Sequence, residues 1–550
     1  MKIAMAQLNP TVGDIEGNLN KICDTLSKFY DKADLVVFPE LFIVGYPPRD
    51  ILERPELIEK ADKAIDRIVK FSKKYHDTGI IIGAPSLIKK AKEKKLYNSA
   101  ILISGGKVLG VQHKTLLPVY DVFDETRYFH PAEGVKVIPF KGEKLGISVC
   151  EDMWNDPELF GKKVYNYDPI GELARKKASI MINISASPFF TGKEELRFKL
   201  VKNHAKKYKT PFLFVNQVGG NDELVFDGRS VFVGKNGEAA KVFPAFSEHI
   251  DVIDTTASGV RGLYKPEDRI ATVYNALVLG IRDYVYKCGF SKAVIGLSGG
   301  IDSSIVCVLA KEAVGSKNVL GVAMPSVYSA EESTEYAQRL AKNLDIRFHV
   351  VPINDVYDAY LKVLENVLGP KKHNDVEIYL QNIQARIRGN ILMAFSNKEG
   401  YLVLTTGNKS EISVGYCTLY GDMAGGLAVI SDVPKKMIYQ LAEYINRKKE
   451  IIPGEVIKRA PTAELKPDQL DQDTLPPYEI LDEILHDYIE NGLSAQALIN
   501  KGFEPATVKW VTGAVRNNEY KRRQAPPCLK VTTKAFGMGR RMPIAAKYDV

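Results

Sequence analysis

The sequence predicts an α/β protein built as two successive domains, and three observations carry that prediction. Short apolar runs rich in Val, Ile and Leu alternate with longer segments of helical periodicity through the first half of the chain, and the alternation restarts in the second. At 550 residues the chain is too long for one core, since ~150 residues per domain allows two to four. Within the second half, Val294-Ile295-Gly296-Leu297-Ser298-Gly299-Gly300-Ile301-Asp302-Ser303-Ser304 is an apolar strand that breaks into Ser-Gly-Gly and reopens as a helix.

The elements follow in order. Residues 1–7 enter a strand at once, with no charged and apolar leader, and no apolar stretch reaches the ~18 residues of a membrane span. Runs at 34–38, 79–83, 100–103, 145–149, 180–184 and 212–215 are short and apolar throughout, as strands covered on both faces should be. Gly234-Lys235-Asn236-Gly237 reads as a hairpin turn. After a stretch ending near Tyr264-Lys265-Pro266 the pattern restarts with a helix over 271–288. Strands at 293–297, 319–324, 348–351 and 402–405 then alternate with helices, the pattern of a doubly wound parallel sheet. The expected domains are 1–250 and 266–550, joined by a linker over 251–265. The tail from Asn517, with Lys521-Arg522-Arg523 and Arg540-Arg541, reads as a mobile basic terminus, or by its position as a substrate clamp.

Composition narrows the function. The 75 Lys and Arg exceed the 67 Asp and Glu by eight over the full length, a solvated surface rather than a nucleic-acid footprint. Cys23, Cys150, Cys288, Cys307, Cys417 and Cys528 are scattered, with no CxxC pair and no zinc spacing, which predicts a reduced, cytoplasmic protein. No membrane and no nucleic-acid partner is expected.

The Ser-Gly-Gly run reads as a pyrophosphate cradle. Glycines let the backbone turn its N–H groups onto an anion, and the next helix points its positive end at the same place. The lysine of a GxxxxGK[ST] loop, which would reach the β- and γ-phosphates, is missing, so cleavage between the α- and β-phosphates fits better. Asp302 at the helix mouth makes sense as a magnesium ligand, because an unpaired carboxylate beside polyphosphate would be repelled.

In the first half Cys150 ends the run 145–149 and is the candidate nucleophile. Phe38-Pro39-Glu40-Leu41 ends another run, and a third motif is His113-Lys114-Thr115-Leu116-Leu117-Pro118-Val119-Tyr120, running on to Glu125. These motifs resemble the nitrilase superfamily. The resemblance implies an α-β-β-α sandwich in which Glu40 takes the thiol proton, Lys114 steadies an oxyanion and Glu125 orients the lysine. It leaves His113 a structural role. Asn183 to Lys193 resembles the glutamine-binding segment of the glutaminase branch, implying that Ser187 and Lys193 hold the amino-acid head group. Tyr120 matches a further glutamine contact, and Tyr46 a tyrosine near the site entrance.

A pyrophosphatase loop joined to a glutaminase implies that a carboxylate is adenylated and then attacked by ammonia to form an amide. Together the motifs resemble the glutamine-dependent NAD synthetase family, whose second domain is a doubly wound sheet of the adenine nucleotide α-hydrolase-like kind. The resemblance implies that Gly296, Leu297, Ser298, Gly299, Gly300, Ile301, Asp302 and Ser303, with Thr406, Lys435 and Thr462, contact ATP. Asn382 and Lys521 match contacts to deamido-NAD, and Glu411 matches a contact to magnesium or deamido-NAD. The implied cofactor is Mg2+, with ATP as co-substrate, glutamine and deamido-NAD as the other substrates, and homo-oligomers as the assembly. The loop Leu419-Tyr420-Gly421-Asp422-Met423-Ala424-Gly425-Gly426 lacks the lysine and aspartate of ammonia-only synthetases, so those two contacts are not carried over. Two rivals stay open: another glutamine-driven pyrophosphatase amidotransferase such as GMP synthetase, and an RNA-modifying adenylating enzyme. The latter would want a persulfide cysteine pair and a concentrated basic face.

Overall fold

In the computed structural model, which describes residues 1–88, 96–369 and 377–547, the expected apolar runs all become strands. They assort into two units, Met1–Glu267 and Asp268–Val550.

In the first unit β1 (Lys2–Gln7), β2 (Leu35–Val37), β3 (Gly79–Leu87), β4 (Leu96–Ser104) and β5 (Lys107–His113) lie in chain order in one sheet. A second sheet holds β6 (Val137–Phe140), β7 (Glu143–Val149), β8 (Ile180–Ser185) and β9 (Phe212–Asn216). The small hairpin β10 (Val218–Asn221) and β11 (Leu224–Asp227) comes next. The turn expected at 234–237 joins β12 (Val231–Val233) to β13 (Ala239–Val242), which complete the second sheet beyond β9.

Alternation along the strands builds the layers. Ile3, Met5, Val37 and Ile81 from the first sheet pack against Ile147, Ile180, Ile182 and Val215 from the second, a dry layer between the sheets. The opposite faces are covered too, by helices Ile15–Phe29 and Pro55–Ser72 on one side and Pro169–Arg175 and Lys193–Tyr208 on the other. Burial on both faces explains why these strands read as continuous apolar runs. The result is an α-β-β-α sandwich.

Residues 249–254, within or next to the expected linker, form a last strand, β14 (His249–Asp254), paired antiparallel with β1. The first unit therefore extends to Glu267.

The second unit is organised by a parallel sheet of β15 (Lys292–Gly296), β16 (Val319–Ala323), β17 (Arg347–Val350), β18 (Tyr401–Thr405) and the short β19 (Leu427–Ala428). Their spatial order is β17-β16-β15-β18-β19, all parallel, so the direction of winding reverses between β15 and β18. In such sheets ligands bind beyond the strand ends at that switch point. The Ser-Gly-Gly turn leaves β15 there.

A helical subdomain packs Leu481, Ile484, Leu498, Val508 and Val511 around Val414. Within the basic tail, residues 527–532 are tied down. Asp432, fully buried, accepts from the backbone N–H groups of Val531 and Thr532 at 2.8 and 2.7 Å, and the N–H of Ala428 donates to the carbonyl of Pro527. Among the described residues no helix is long and apolar enough to cross a membrane.

Candidate functional sites

The first unit gathers the three predicted catalytic side chains at strand ends. Glu40 follows β2, Lys114 follows β5 and Cys150 follows β7. The Glu40 loop lies directly on β3 at Gly83, where a Cβ would stand 2.2 Å from the Leu41 nitrogen and 2.4 Å from the Pro39 oxygen, so only glycine admits it. Cys150 sits in the turn from β7 into a 3-10 helix with φ 41°, a conformation that costs a non-glycine residue ~1–3 kcal/mol and lifts the thiol out of the strand.

Lys114 Nζ donates to Glu40 Oε1 and Glu125 Oε1, both at 2.8 Å, with all three side chains buried. Asn98 Nδ2 donates to Glu40 Oε1 at 2.7 Å, and the N–H of Ala186 donates to Glu40 Oε2 at 2.9 Å. Burial by itself disfavours the ammonium, yet the charges of Glu125 and Glu40 overcome it and hold Lys114 well above the ordinary lysine range. Burial pushes the Glu125 carboxyl up to about 7, against the pull of Lys114 and with the help of Glu40. The Cys150 thiol is raised well above its usual range by burial and by the Glu40 charge, with Lys114 opposing. Its resting form is the neutral thiol, so attack on a carbon needs a base to take the proton as the bond forms.

Tyr46, expected near the site entrance, lies beside Glu125. Its ring is buried and its hydroxyl donates to Glu125 Oε1 at 3.0 Å. Tyr120 is half-exposed, and its hydroxyl reaches Glu151 Oε1 and Oε2 at 3.1 Å; the hydroxyl of Tyr165 donates to Glu151 Oε1 at 2.7 Å. Lys193 opens its helix with Nζ 5.1 Å from the Phe190 ring centroid and 5.6 Å from that of Trp154. Burial raises the Glu151 carboxyl, opposed by Tyr165, Lys114, Tyr120 and Lys193. Ser187 is buried, with its N–H on Asn216 Oδ1 at 2.8 Å. His113 bonds Ser99 Oγ through Nδ1 at 2.7 Å and stacks on Tyr97, and burial pulls it down to about 4, so it is neutral and structural.

Sequence reasoning missed Asp152. Its Oδ1 accepts from Thr115 N, Thr115 Oγ1 and Leu116 N at 2.9, 2.6 and 2.9 Å, and its Oδ2 from Val149 N at 2.9 Å. This one carboxylate, fully buried, pins the segment after Lys114 to the strand before Cys150.

The second unit gathers the predicted nucleotide residues around a cavity of about 600 Å³. Its lining includes Gly296, Leu297, Ser298, Gly300, Ile301, Asp302 and Ser303 from the turn. Thr406, Glu411, Lys435 and Thr462 also face it, as do Asn382 and Lys521. Gly299 lies behind the lining with φ +79°, and a Cβ there would stand 2.2 Å from the Ser333 carbonyl oxygen. Ser298 Oγ accepts from Gly300 N at 3.2 Å and lies 3.2 Å from Ser303 Oγ, which braces the turn before any ligand arrives. Asn382 Oδ1 accepts from Thr418 Oγ1 at 2.7 Å, and Lys521 Nζ donates to the carbonyls of Gly415 and Cys417 at 2.8 Å. Thr462 Oγ1 donates to the Gln469 carbonyl. Asp422 of the departed loop accepts from Thr418 N at 2.6 Å, and burial pushes its carboxyl up to about 6.

Lys435 Nζ is the hub of the acidic corner, 2.5 Å from Asp302 Oδ2 and 3.3 Å from Glu411 Oε1. Asn408 Nδ2 donates to Asp302 Oδ1 at 3.1 Å, while Asp471 accepts from the Tyr478 hydroxyl at 2.8 Å. Burial pushes the Glu411 carboxyl up to about 8, restrained by Lys435 and reinforced by Asp302 and Asp471. Asp302 and Glu411 thus share one lysine, with Asp471 close enough to reinforce the rise of Glu411. Two of their oxygens already converge on one cation, which fits Mg2+, since that ion takes one or two protein carboxylates and completes its shell with phosphate and water. Among the described residues no group of three or more His, Cys, Asp or Glu forms a metal site unaided.

Residues 2–263 match the carbon-nitrogen hydrolase family and residues 273–525 the NAD synthase family. The chain is 44% identical to a glutamine-dependent NAD(+) synthetase of Synechocystis sp., covering 99% of both chains. It is 43% identical to one of Thermotoga maritima, covering 100% of this chain and 99% of that one. Among solved structures, a glutamine-dependent NAD+ synthetase of Acinetobacter baumannii in complex with ADP is 36% identical with a TM-score of 0.77, covering 99% of this chain and 98% of that one.

Proposed function

The chain belongs to the family of glutamine-dependent NAD(+) synthetases, and from that premise we propose how its two units divide the reaction. In the first, Cys150 Sγ attacks the side-chain amide carbon of glutamine, and its proton passes to Glu40. Lys114 balances the charge that develops on the amide oxygen. Glu125, itself bonded by Tyr46, holds that ammonium in place. Glu40 then gives its proton to the departing nitrogen, leaving a thioester and ammonia. A water molecule deprotonated by Glu40 cleaves the thioester to glutamate, and the thiol is restored. Ser187, Lys193 and Tyr120 hold the glutamine head group.

In the second unit the nicotinate carboxylate of deamido-NAD attacks the α-phosphorus of ATP, and pyrophosphate leaves with the bonding electron pair. Ammonia then attacks the acyl carbon, loses a proton and expels AMP, giving the amide. The Ser-Gly-Gly turn and the N-terminus of helix Ile301–Val314 receive the leaving pyrophosphate. Thr406, Lys435 and Thr462 contact ATP, while Asn382 and Lys521 hold deamido-NAD. Asp302 and Glu411 would hold Mg2+, whose chemistry is to neutralise phosphate charge. The protein is read as cytoplasmic and homo-oligomeric, acting on small molecules alone.

One observation carries the reading: the same chain joins a buried thiol, a lysine gripped by two glutamates, and a nucleotide-sized cavity with a Ser-Gly-Gly turn facing an acidic corner. Supplying deamido-NAD, glutamine and ATP labelled at the α-phosphate tests it. AMP, pyrophosphate and NAD should appear in equal amounts. ADP and phosphate as stoichiometric products would overturn it.

A further inference from the structure

The adenylation cavity contains a strong cation with no task so far. Arg388 lies on helix Ile378–Glu399, on the face that also turns Asn382, Ala385 and Leu392 into the cavity. Its Nε–H donates to the main-chain carbonyl of Met324 at 2.9 Å. Among the described residues that is the one hydrogen bond it makes, and the charge acting on it is Glu464, already paired with Arg459 at 2.6 Å. Burial lowers the guanidinium to about 10, with Glu464 opposing, so it remains a cation at neutral pH.

Three of the four other cations lining the cavity are engaged, Arg459 by Glu464, and the fourth, Lys466, lies on a loop rather than a helix. Lys435 is held by Asp302 and Glu411, and Lys521 by two carbonyls. Arg388 alone combines a rigid helix, a pinned Nε and a free pair of Nη groups. A planar cation presented this way matches the oxygens of a phosphate, and leaving it uncompensated in the cavity is costly.

Position says which phosphate. Met324 directly follows β16, and a Cβ built on Gly296 at the end of β15 would stand 3.3 Å from both Met324 Cε and Leu392 Cδ1. The anchor of Arg388 is thus beside the strand end from which the Ser-Gly-Gly turn springs, while Asn382 lies six residues, ~9 Å along the helix, away. We propose that Arg388 binds the α-phosphate of ATP, the group retained in the adenylate, while the Ser-Gly-Gly turn takes the departing pyrophosphate. This rests on the reading of the cavity as an adenylating site. As the nicotinate oxygen bonds to the α-phosphorus and the bond to the bridging oxygen breaks, the guanidinium offsets charge on the non-bridging oxygens, and no proton moves.

The test uses the full chain with Arg388→Gln and Arg388→Lys, both checked to melt with wild type. Inhibition constants are measured for AMP and pyrophosphate separately, with KM for ATP and deamido-NAD. Arg388→Gln should weaken AMP and raise KM for ATP at least ten-fold, leave pyrophosphate and deamido-NAD within two-fold, and be partly rescued in Arg388→Lys. Unchanged AMP binding, or equal weakening of all ligands, overturns the assignment. If wild type forms ADP and phosphate instead of AMP and pyrophosphate, the adenylation reading fails first and the proposal falls with it.

Discussion

Replacing Asp152 by Asn removes one oxygen from the joint between the lysine and thiol segments. Oδ1 serves three donors at Thr115 and Leu116, and Oδ2 serves the N–H of Val149. With the amide oxygen kept toward Thr115, the new NH2 faces the Val149 N–H. Two buried donors then lack acceptors at ~1–3 kcal/mol each, for a loss of ~2–6 kcal/mol in the first unit. The flipped amide strands the N–H groups of Thr115 and Leu116 instead, while the Thr115 hydroxyl turns to accept from it, for a loss of similar size. A displacement of Lys114 by about 1 Å costs ~100-fold in rate. The chain has two tryptophans, Trp154 and Trp510, so a Trp510→Phe background lets fluorescence during urea unfolding report the first unit alone. Asp152→Asn should lower that unit's unfolding midpoint and cut glutamine-driven NAD formation by about 100-fold, with the ammonium-driven reaction within two-fold of wild type. Wild-type glutamine use together with an unshifted midpoint would refute the idea that Asp152 holds the two segments together.

Other perturbations read separate parts of the account. Glu125 carries its proton below about 7 and loses it above, and only the anion grips Lys114 fully. Glutamine hydrolysis should therefore fall as pH drops through about 7 in a one-proton step, and Glu125→Gln should be slow and lack that limb; an identical limb in the variant would exclude Glu125 as its source. Gly299→Ala places a Cβ 2.2 Å from the Ser333 oxygen at φ +79°, so NAD formation from both nitrogen sources should drop more than ten-fold, whereas wild-type rates would show that the turn is not needed in this form. Asp302→Asn should cripple both nitrogen sources and leave glutamine hydrolysis intact, and full ammonium-driven synthesis in that variant would remove Asp302 from the chemistry.

Strands and strand-end chemistry were legible in the sequence because strands buried on both faces need unbroken apolar runs, and such runs end where ligands bind. Cys150, Glu40 and Lys114 all stand one to three residues past a strand. Gly299 was legible because a turn that presents N–H groups demands glycine. The rest depends on contacts between residues far apart in the chain. Asp152 serves Thr115 and Leu116 from 37 and 36 residues away, and nothing local marks it as more than a 3-10 acid. β14 has a weak, half-buried pattern and exists because β1, over 240 residues earlier, offers an unpaired edge. The tail stayed open between a mobile terminus and a clamp for the same reason: its basic, proline-bearing composition looks mobile, but Asp432 captures its backbone at Val531 and Thr532 across about 100 residues. Tyr46 could not be told from an exposed aromatic until Glu125 was seen beneath its hydroxyl.

The division of labour between the units is tested most directly by Cys150→Ala, assayed for NAD formation with glutamine and, in parallel, with ammonium. The thiol releases ammonia and takes no part in adenylation, so glutamine-driven synthesis should vanish while ammonium-driven synthesis, with its AMP and pyrophosphate, stays within two-fold of wild type. A folded variant that loses both activities, or keeps both, would contradict the account.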